Sequence, residues 1–117
     1  MERRVRLCRQ VDFQRVRKEG RSWAHPLLIL VVLPNELDRL RVGVTASRRV
    51  GKAVERNRAK RLLREAARHL YPSLSPGWDV VLVARREIVS AKEPQVREAL
   101  AYLTQRAGLL AKDARNL

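Results

Sequence analysis

One segment of the chain, residues 53–70, constrains the fold more than any other. Its apolar side chains recur at helical spacing and form one stripe, made of Ala59, Leu62, Leu63, Ala66, Ala67 and Leu70. Gly51 precedes the segment and Tyr71-Pro72 follows it, and such residues are typical of helix boundaries. We therefore predict a helix over residues 53–70 that packs its stripe against a core.

The other side of this helix is almost uniformly basic. Residues 48–64 hold eight basic and one acidic side chain, and residues 1–21 hold eight and three, so these segments contribute +7 and +5 to a net charge of +14. A solvated helix face usually mixes signs, and a basic surface that served only solubility would be scattered. Of the 26 basic residues 21 are Arg, which grips phosphates bidentately, so a nucleic acid is the first candidate partner.

Several classes of protein are excluded by the same sequence. A lone cysteine, Cys8, cannot form an internal disulfide, and the longest apolar run, residues 27–33, is far shorter than the roughly 20 residues of a membrane-spanning helix. Residues 1–9 are basic but lead into no apolar signal segment. We therefore expect a cytoplasmic protein with no membrane partner.

The remaining patterns predict a short helix over residues 10–18, which Gly20 ends, and strands over 27–33, 40–47 and 78–84. The strand over 40–47 alternates, which leaves Arg41, Gly43, Thr45 and Ser47 on a polar face. A last helix is expected from about residue 93 to 111, capped by Ser90 or a neighbour. This order indicates an α+β fold in which helices cover one face of a sheet and leave the other partly open.

The stretch Arg56-Asn57-Arg58-Ala59-Lys60-Arg61 resembles the RNR motif of the protein subunit of bacterial ribonuclease P. The similarity extends from about Arg6 to Leu110 and includes Asp12-Phe13, Gly20, Arg41-Val42-Gly43 and Asp79-Val80-Val81. It implies that residues 1–117 form a single domain, with a basic tail over about residues 1–9. The implied fold is an α-β-β-β-α-β-α sandwich, ribosomal protein S5 domain 2-like. Its parallel strands are joined by a left-handed crossover, an exception to the usual right-handed rule.

The resemblance also implies two RNA-binding surfaces and the two partners, ribonuclease P RNA and precursor tRNA, with one protein per catalytic RNA. The catalytic RNA would be bound by Arg48, Arg49, Lys52, Arg56, Asn57, Arg58, Lys60, Arg61, Arg64 and Arg68. The single-stranded 5′ leader of precursor tRNA would be bound by Phe13, Arg15, Arg17, Lys18 and Ser47. The leader would be removed by RNA catalysis with Mg²⁺ held mainly by the RNA subunit, so we expect no catalytic residue and no metal site in the protein.

The sequence departs from the family at the leader surface. Where relatives often carry a second aromatic, one turn after Phe13, this chain has Arg17, and the aromatic position of the first strand is Val31. Either Arg17 stacks through its guanidinium plane or the leader is held mainly by charge. Trp23 and Trp78 are interpreted as packing residues.

Two other functions remain open at this point. A structural, ribosomal-type RNA-binding protein would have the same composition. An independent nuclease would have to use the two histidines, His25 and His69, as its acid and base.

Overall fold

A computed structural model describes residues 6–110 of the chain. Within them lie three α-helices and four strands: α1 (Gln10–Glu19), β1 (Arg21–Ala24), β2 (Leu28–Pro34), β3 (Arg41–Thr45), α2 (Ala53–Leu70), β4 (Trp78–Ala84) and α3 (Glu93–Arg106). This order confirms the α-β-β-β-α-β-α prediction. Residues 1–5 of the predicted basic tail, and residue 111 at the predicted end of the last helix, lie outside the described residues.

The strands of the described region form one mixed sheet in the order β1-β2-β4-β3. The β1–β2 and β2–β4 pairs are antiparallel, whereas β3 and β4 are parallel neighbours joined through α2. This is the parallel pair around the basic helix that the resemblance implies, and the left hand of its crossover stays a prediction. The apolar strand β4 is central, as its sequence indicates.

Strand register arranges one face of the sheet into three rows, each with one residue from β3, β4 and β2. We call them the charged row (Arg41, Asp79, Leu33), the middle row (Gly43, Val81, Val31) and the groove row (Thr45, Val83, Ile29). Because side chains alternate along each strand, the residues between these rows point to the opposite face.

Helix α1 lies over the middle row. Val16 is fully buried against Val31 and Val81, and the Phe13 ring rests on Gly43. A Cβ added at Gly43 would lie 2.4 Å from Phe13 Cζ, so the close approach of this ring requires glycine. The second face is therefore only partly open, as predicted, because α1 covers its middle row.

The opposite face carries the larger core. Helix α2 packs on it with the predicted stripe, in which Ala59, Leu63, Ala66 and Ala67 are buried, and α3 packs beside α2. Strand β2 is apolar at successive positions because both of its faces are covered. Trp23 and Trp78 are partly buried against this core, which agrees with their interpretation as packing residues.

Helix α3 is shorter than its apolar spacing predicts. It ends at Arg106, and Gly108 follows with φ of 75°, a left-handed conformation that typically ends helices. At the other end, the Gln95 side chain rather than Ser90 caps the helix, since its Oε1 accepts the backbone N–H of Lys92 at 2.8 Å. Within residues 6–110 no helix is both long and apolar enough to cross a membrane.

Candidate nucleic-acid interface

The loop before α2 binds an acidic side chain that lies among the basic residues of this helix. Gly51, with φ of 148°, leads into Lys52, whose backbone N–H is accepted by Glu55 Oε1 at 2.8 Å. Glu55 is the one acidic residue between residues 48 and 64. Its carboxylate is engaged at the helix cap and forms no ion pair with an arginine of residues 6–110.

The predicted catalytic-RNA residues lie on this loop and along α2, but they differ in exposure. Arg48, Arg49, Lys52, Asn57, Arg61 and Arg68 are exposed, and Arg56, Arg58, Lys60 and Arg64 are partly buried. The side chains of Lys60, Arg61 and Arg64 make no hydrogen bond or ion pair with any other residue of the 6–110 region. Arg68 pairs with Glu65, which lowers the pKa of that carboxyl through their hydrogen bond.

Two arginines of the Arg-Asn-Arg motif have partners inside the protein. Arg56 Nη1 donates to the Gly51 carbonyl at 3.2 Å. Arg58 donates twice, from Nη1 to Val89 O at 2.8 Å and from Nη2 to Ala91 O at 3.0 Å. The sequence assigns both arginines to RNA, whereas the structure also gives them intramolecular contacts.

A groove runs beside α1 on the second face of the sheet, over the groove row. It consists of two cavities, of about 380 and 620 Å³, that share Arg17. We call this the α1 groove; its lining includes Phe13, Gln14, Arg17, Thr45, Ile29, Ser47, Arg49, Val83, Arg85 and Arg86. Three of the predicted leader residues, Phe13, Arg17 and Ser47, are thereby brought together.

The other two predicted leader residues do not line the α1 groove. Arg15 lies on the opposite flank of α1, since residues two apart on a helix are separated by about 200°. Its Nη2 donates to Asp79 Oδ2 at 2.7 Å. Lys18 is exposed, outside the groove. The assignment of these two side chains to leader phosphates therefore has no support from the groove geometry.

Three arginines that line the groove are not among the predicted leader residues. Arg49 was assigned to the other RNA, and Arg85 and Arg86 were assigned to neither. The sequence feature that could have identified Arg85 and Arg86 is a pair of consecutive arginines directly after an apolar strand. Because β3 and β4 are parallel, their carboxyl ends lie at the same end of the sheet, which brings this pair near Ser47.

The charged row forms a compact cluster at the opposite end. Asp79 is fully buried, and Arg41 holds both of its oxygens, with Nε to Oδ1 at 2.8 Å and Nη2 to Oδ2 at 2.7 Å. Asn35 Nδ2 donates to Oδ1 at 2.9 Å, and Arg15 completes the set. Asp12 adds a more distant carboxylate, 3.9 Å from Arg41.

The hydrogen bonds in this cluster keep Asp79 ionised. Burial by itself raises the pKa of this carboxyl, but the hydrogen bonds from Arg41, Asn35 and Arg15, with the positive charge of Arg41, outweigh burial and lower the pKa below its ordinary 3.8. The same contact with Asp79 raises the pKa of Arg41. The cluster therefore fastens α1, β3 and β4 together with fully ionised groups at neutral pH.

The basic side of α2 and the α1 groove meet at the outer edge of β3. Arg64 from α2 and Phe13 from α1 line one cavity of about 190 Å³, together with Arg6 and Cys8. The segment before α1 pairs with the outer edge of β3, since the Leu7 backbone N–H donates to Val42 O at 2.8 Å. The two surfaces that the sequence predicts separately are thus neighbours.

The two histidines lie on different elements of the fold. His25 follows β1, and its Nδ1 accepts the backbone N–H of Leu27 at 3.0 Å. His69 is exposed in the last turn of α2. In the part of the chain that the structure describes, no three His, Cys, Asp or Glu side chains come close enough together to hold a metal ion.

Comparison with known proteins gives consistent matches. The sequence model of the family described as Ribonuclease P matches residues 1–108. The ribonuclease P protein component of Herpetosiphon aurantiacus is 45% identical over 109 residues, which cover 93% of this chain and 89% of that protein. That of Chloroflexus aurantiacus is 46% identical over 111 residues, covering 94% and 82%.

Solved structures show the same likeness in three dimensions. A Staphylococcus aureus RNase P protein mutant with defective mRNA degradation activity is similar with a TM-score of 0.84 and 28% identity, covering 94% of this chain and 93% of that one. The RNase P protein from Thermotoga maritima is similar with a TM-score of 0.75 and 30% identity, covering 86% and 96%.

Proposed function

The chain belongs to the ribonuclease P protein family, and from this membership we propose that it holds two RNAs at once. The exposed basic side of α2 binds the catalytic RNA, and the α1 groove binds the 5′ leader of precursor tRNA. The assembled enzyme hydrolyses the phosphodiester bond between leader and mature tRNA and leaves the 5′-phosphate on the tRNA. The observation that carries the proposal is the convergence of Phe13, Arg17 and Ser47 in one groove beside α2.

The composition of the α1 groove suits a single-stranded RNA. Its floor is apolar, from Ile29 and Val83, and Phe13 offers an aromatic surface at one end. Arginines stand along it, with Arg17 on α1 and Arg85 on the opposite side. Stacking surfaces beside cations are how proteins hold single strands whose sequence they do not read.

The basic side of α2 suits a structured RNA backbone instead. Lys60, Arg61 and Arg64 have no partner among residues 6–110, and Glu55 is occupied by the helix cap. Like charges held this close destabilise a helix on its own, and phosphates would relieve that repulsion while releasing counterions. Since Arg64 and Phe13 border one cavity, a leader in the groove would lie next to the catalytic RNA.

We assign the chemistry of cleavage to the RNA subunit. The Mg²⁺ ions that the reaction needs are held mainly there, as the resemblance to the family implies. The only buried carboxylate of residues 6–110, Asp79, has both oxygens engaged by Arg41, Arg15 and Asn35. The role of this chain is to bind and orient the two RNAs, and family membership favours it over a ribosomal role.

A binding assay with the assembled enzyme tests the leader assignment. Phe13→Ala should weaken binding of precursor tRNA by about tenfold and leave binding of mature tRNA unchanged, because one stacked base contributes on the order of 1 to 3 kcal/mol. Dissociation constants are measured with the catalytic RNA saturated by protein.

Val16→Ala is the matched control. Val16 is the buried residue of α1 and does not line the groove, so this variant lowers stability without removing a leader contact. A Phe13→Ala variant that lost affinity equally for precursor and mature tRNA would place Phe13 outside the leader site.

A further inference from the structure

Arg58 is held by two backbone carbonyl groups rather than left free on the basic side of α2. Its planar guanidinium meets Val89 O and Ala91 O at once, at 2.8 and 3.0 Å. An ammonium group cannot reproduce this fork. The acceptors lie 31 and 33 residues further along the chain, so Arg58 ties α2 to the segment that follows β4.

That segment, residues 85–91, forms one side of the α1 groove. It contains a short 3₁₀ helix, Arg86–Ser90, held by the Ile88 N–H to Arg85 O and Ala91 N–H to Ile88 O bonds, each of 3.0 Å. Such short helices have poor hydrogen-bond geometry, so anchors from outside contribute to their position. The segment has two such anchors, the fully buried Ile88 side chain and the guanidinium of Arg58.

The arginines at the start of this segment face the groove. Arg85 and Arg86 line the same cavity as Arg17, Ser47 and Arg49. These five residues come from three separate parts of the fold: α1, the loop before α2, and the segment that directly follows β4. The distance between the two sides of the groove therefore depends on how the 85–91 segment is fastened to the rest of the molecule.

We propose that Arg58 is a positioning residue for the leader. It fastens the 85–91 segment to α2 so that Arg85 and Arg86 face the α1 groove, and it does not use its guanidinium on the catalytic RNA. This inference rests on the proposed function of the groove. It separates Arg58 from Arg61, three residues later and exposed, whose side chain remains available for the catalytic RNA.

Hydrogen exchange of the free protein tests the anchor. Arg58→Lys keeps the charge and removes the fork, so the Ile88 and Ala91 amides should exchange about tenfold faster, which corresponds to about 1.4 kcal/mol of local opening. Arg97→Lys is the matched control, because Arg97 is another partly buried helical arginine, paired with Glu93 at 3.8 Å and remote from the groove lining. Unchanged exchange in Arg58→Lys would overturn the proposal.

Binding by the assembled enzyme tests the consequence. Arg58→Lys should weaken binding of precursor tRNA about fivefold, equal to about 1 kcal/mol, and leave mature tRNA binding unchanged. The salt dependence of catalytic-RNA binding should also stay unchanged, whereas Arg61→Ala should reduce it. Arg86→Gln should produce a similar loss for precursor tRNA, and its effect should not add to that of Arg58→Lys, because both act through one segment.

Several binding results would also overturn the proposal. Faster exchange with no leader-specific loss would leave Arg58 with a structural role only. A reduced salt dependence in Arg58→Gln, with unchanged preference for the leader, would make it a catalytic-RNA contact. Phe13→Ala, measured in parallel, distinguishes failure of the positioning role from failure of the proposed function. A leader-specific loss with Phe13→Ala but not with Arg58→Lys overturns the positioning role alone. No leader-specific loss with either variant overturns both proposals.

Discussion

The charged row and the groove row occupy equivalent places on the sheet, one on each side of α1, yet arginines serve opposite purposes in them. In the charged row, Arg41 and Arg15 converge on the buried carboxylate of Asp79. Over the groove row, Arg17, Arg85 and Arg86 surround an apolar floor with no buried acid beneath them. The difference is one side chain of β4, since Asp79 is acidic where Val83 is apolar.

This comparison separates structural arginines from arginines available for a ligand. A cation that has a buried carboxylate contributes to the fold and is already satisfied. A cation beside a cavity with no buried acid, such as the α1 groove, where Glu87 is exposed, retains its field for an external anion. Net charge alone does not distinguish the two, because +14 counts both groups alike.

Removing the carboxylate from the charged row should have the largest effect. Asp79→Asn leaves Arg41 and Arg15 without their anion, and we expect the free energy of unfolding to fall by about 2–3 kcal/mol. This is less than the roughly 3–5 kcal/mol of a fully buried pair, because both arginines stay partly in water. Urea denaturation measures the change.

Asp38→Asn is the control for that loss. Asp38 is an exposed acid in the turn before β3, so its replacement should change the unfolding free energy by less than about 0.5 kcal/mol. Similar small changes in both variants would show that the cluster is not a source of stability, and the contrast between the two rows would then lose its basis.

Acid should weaken the charged row over a defined range. The pKa of Asp79 is lowered on folding, so its contribution is complete above the ordinary value of 3.8 and is lost as the pH falls from there through the lower folded-state pKa. The difference in unfolding free energy between the native chain and Asp79→Asn should therefore be constant above pH about 4 and shrink below it. A difference that grew on acidification would contradict the lowered pKa.

Local signals explain why α2 could be predicted to its ends. Its apolar stripe, the glycine before it and the proline after it lie within the segment itself, and the structure confirms Ala53–Leu70. The alternation of β3 likewise identified Thr45 and Ser47 as polar positions at one end of the sheet, and both line the α1 groove.

Pairings between distant residues explain what the sequence could not reveal. Arg15 is 64 residues from Asp79, and Arg58 is 31 residues from Val89, so no local pattern indicates that these arginines have internal partners. The apolar run of β2 indicates that both of its faces are covered, but it does not identify α1 as the element on the second face. The charge of each arginine can be read from the sequence, whereas the internal partner of that arginine can be identified only from the fold.

Arg15 and Arg17 provide a matched pair on one helix. Arg15→Gln should lower the unfolding free energy by about 1 kcal/mol, the worth of one charged hydrogen bond that is partly exposed, and leave precursor binding unchanged. Arg17→Gln should leave stability unchanged, weaken precursor binding, and reduce its salt dependence by about 0.7 in the logarithmic slope, as for one single-strand phosphate contact. A binding loss with Arg15→Gln, or a stability loss with Arg17→Gln, would contradict the contrast between the charged row and the groove row.

Arg17→Lys tests whether Arg17 contributes to precursor binding through its positive charge or through its planar guanidinium. Arg17 stands where relatives often carry an aromatic, one turn beyond Phe13, and its guanidinium could either stack on a base or attract a phosphate. Lysine keeps the positive charge but has no plane on which a base can stack. If charge is the main contribution, Arg17→Lys should bind precursor tRNA as the native chain does. A loss as large as that of Arg17→Gln would instead make Arg17 the second stacking surface of the α1 groove, in place of the missing aromatic.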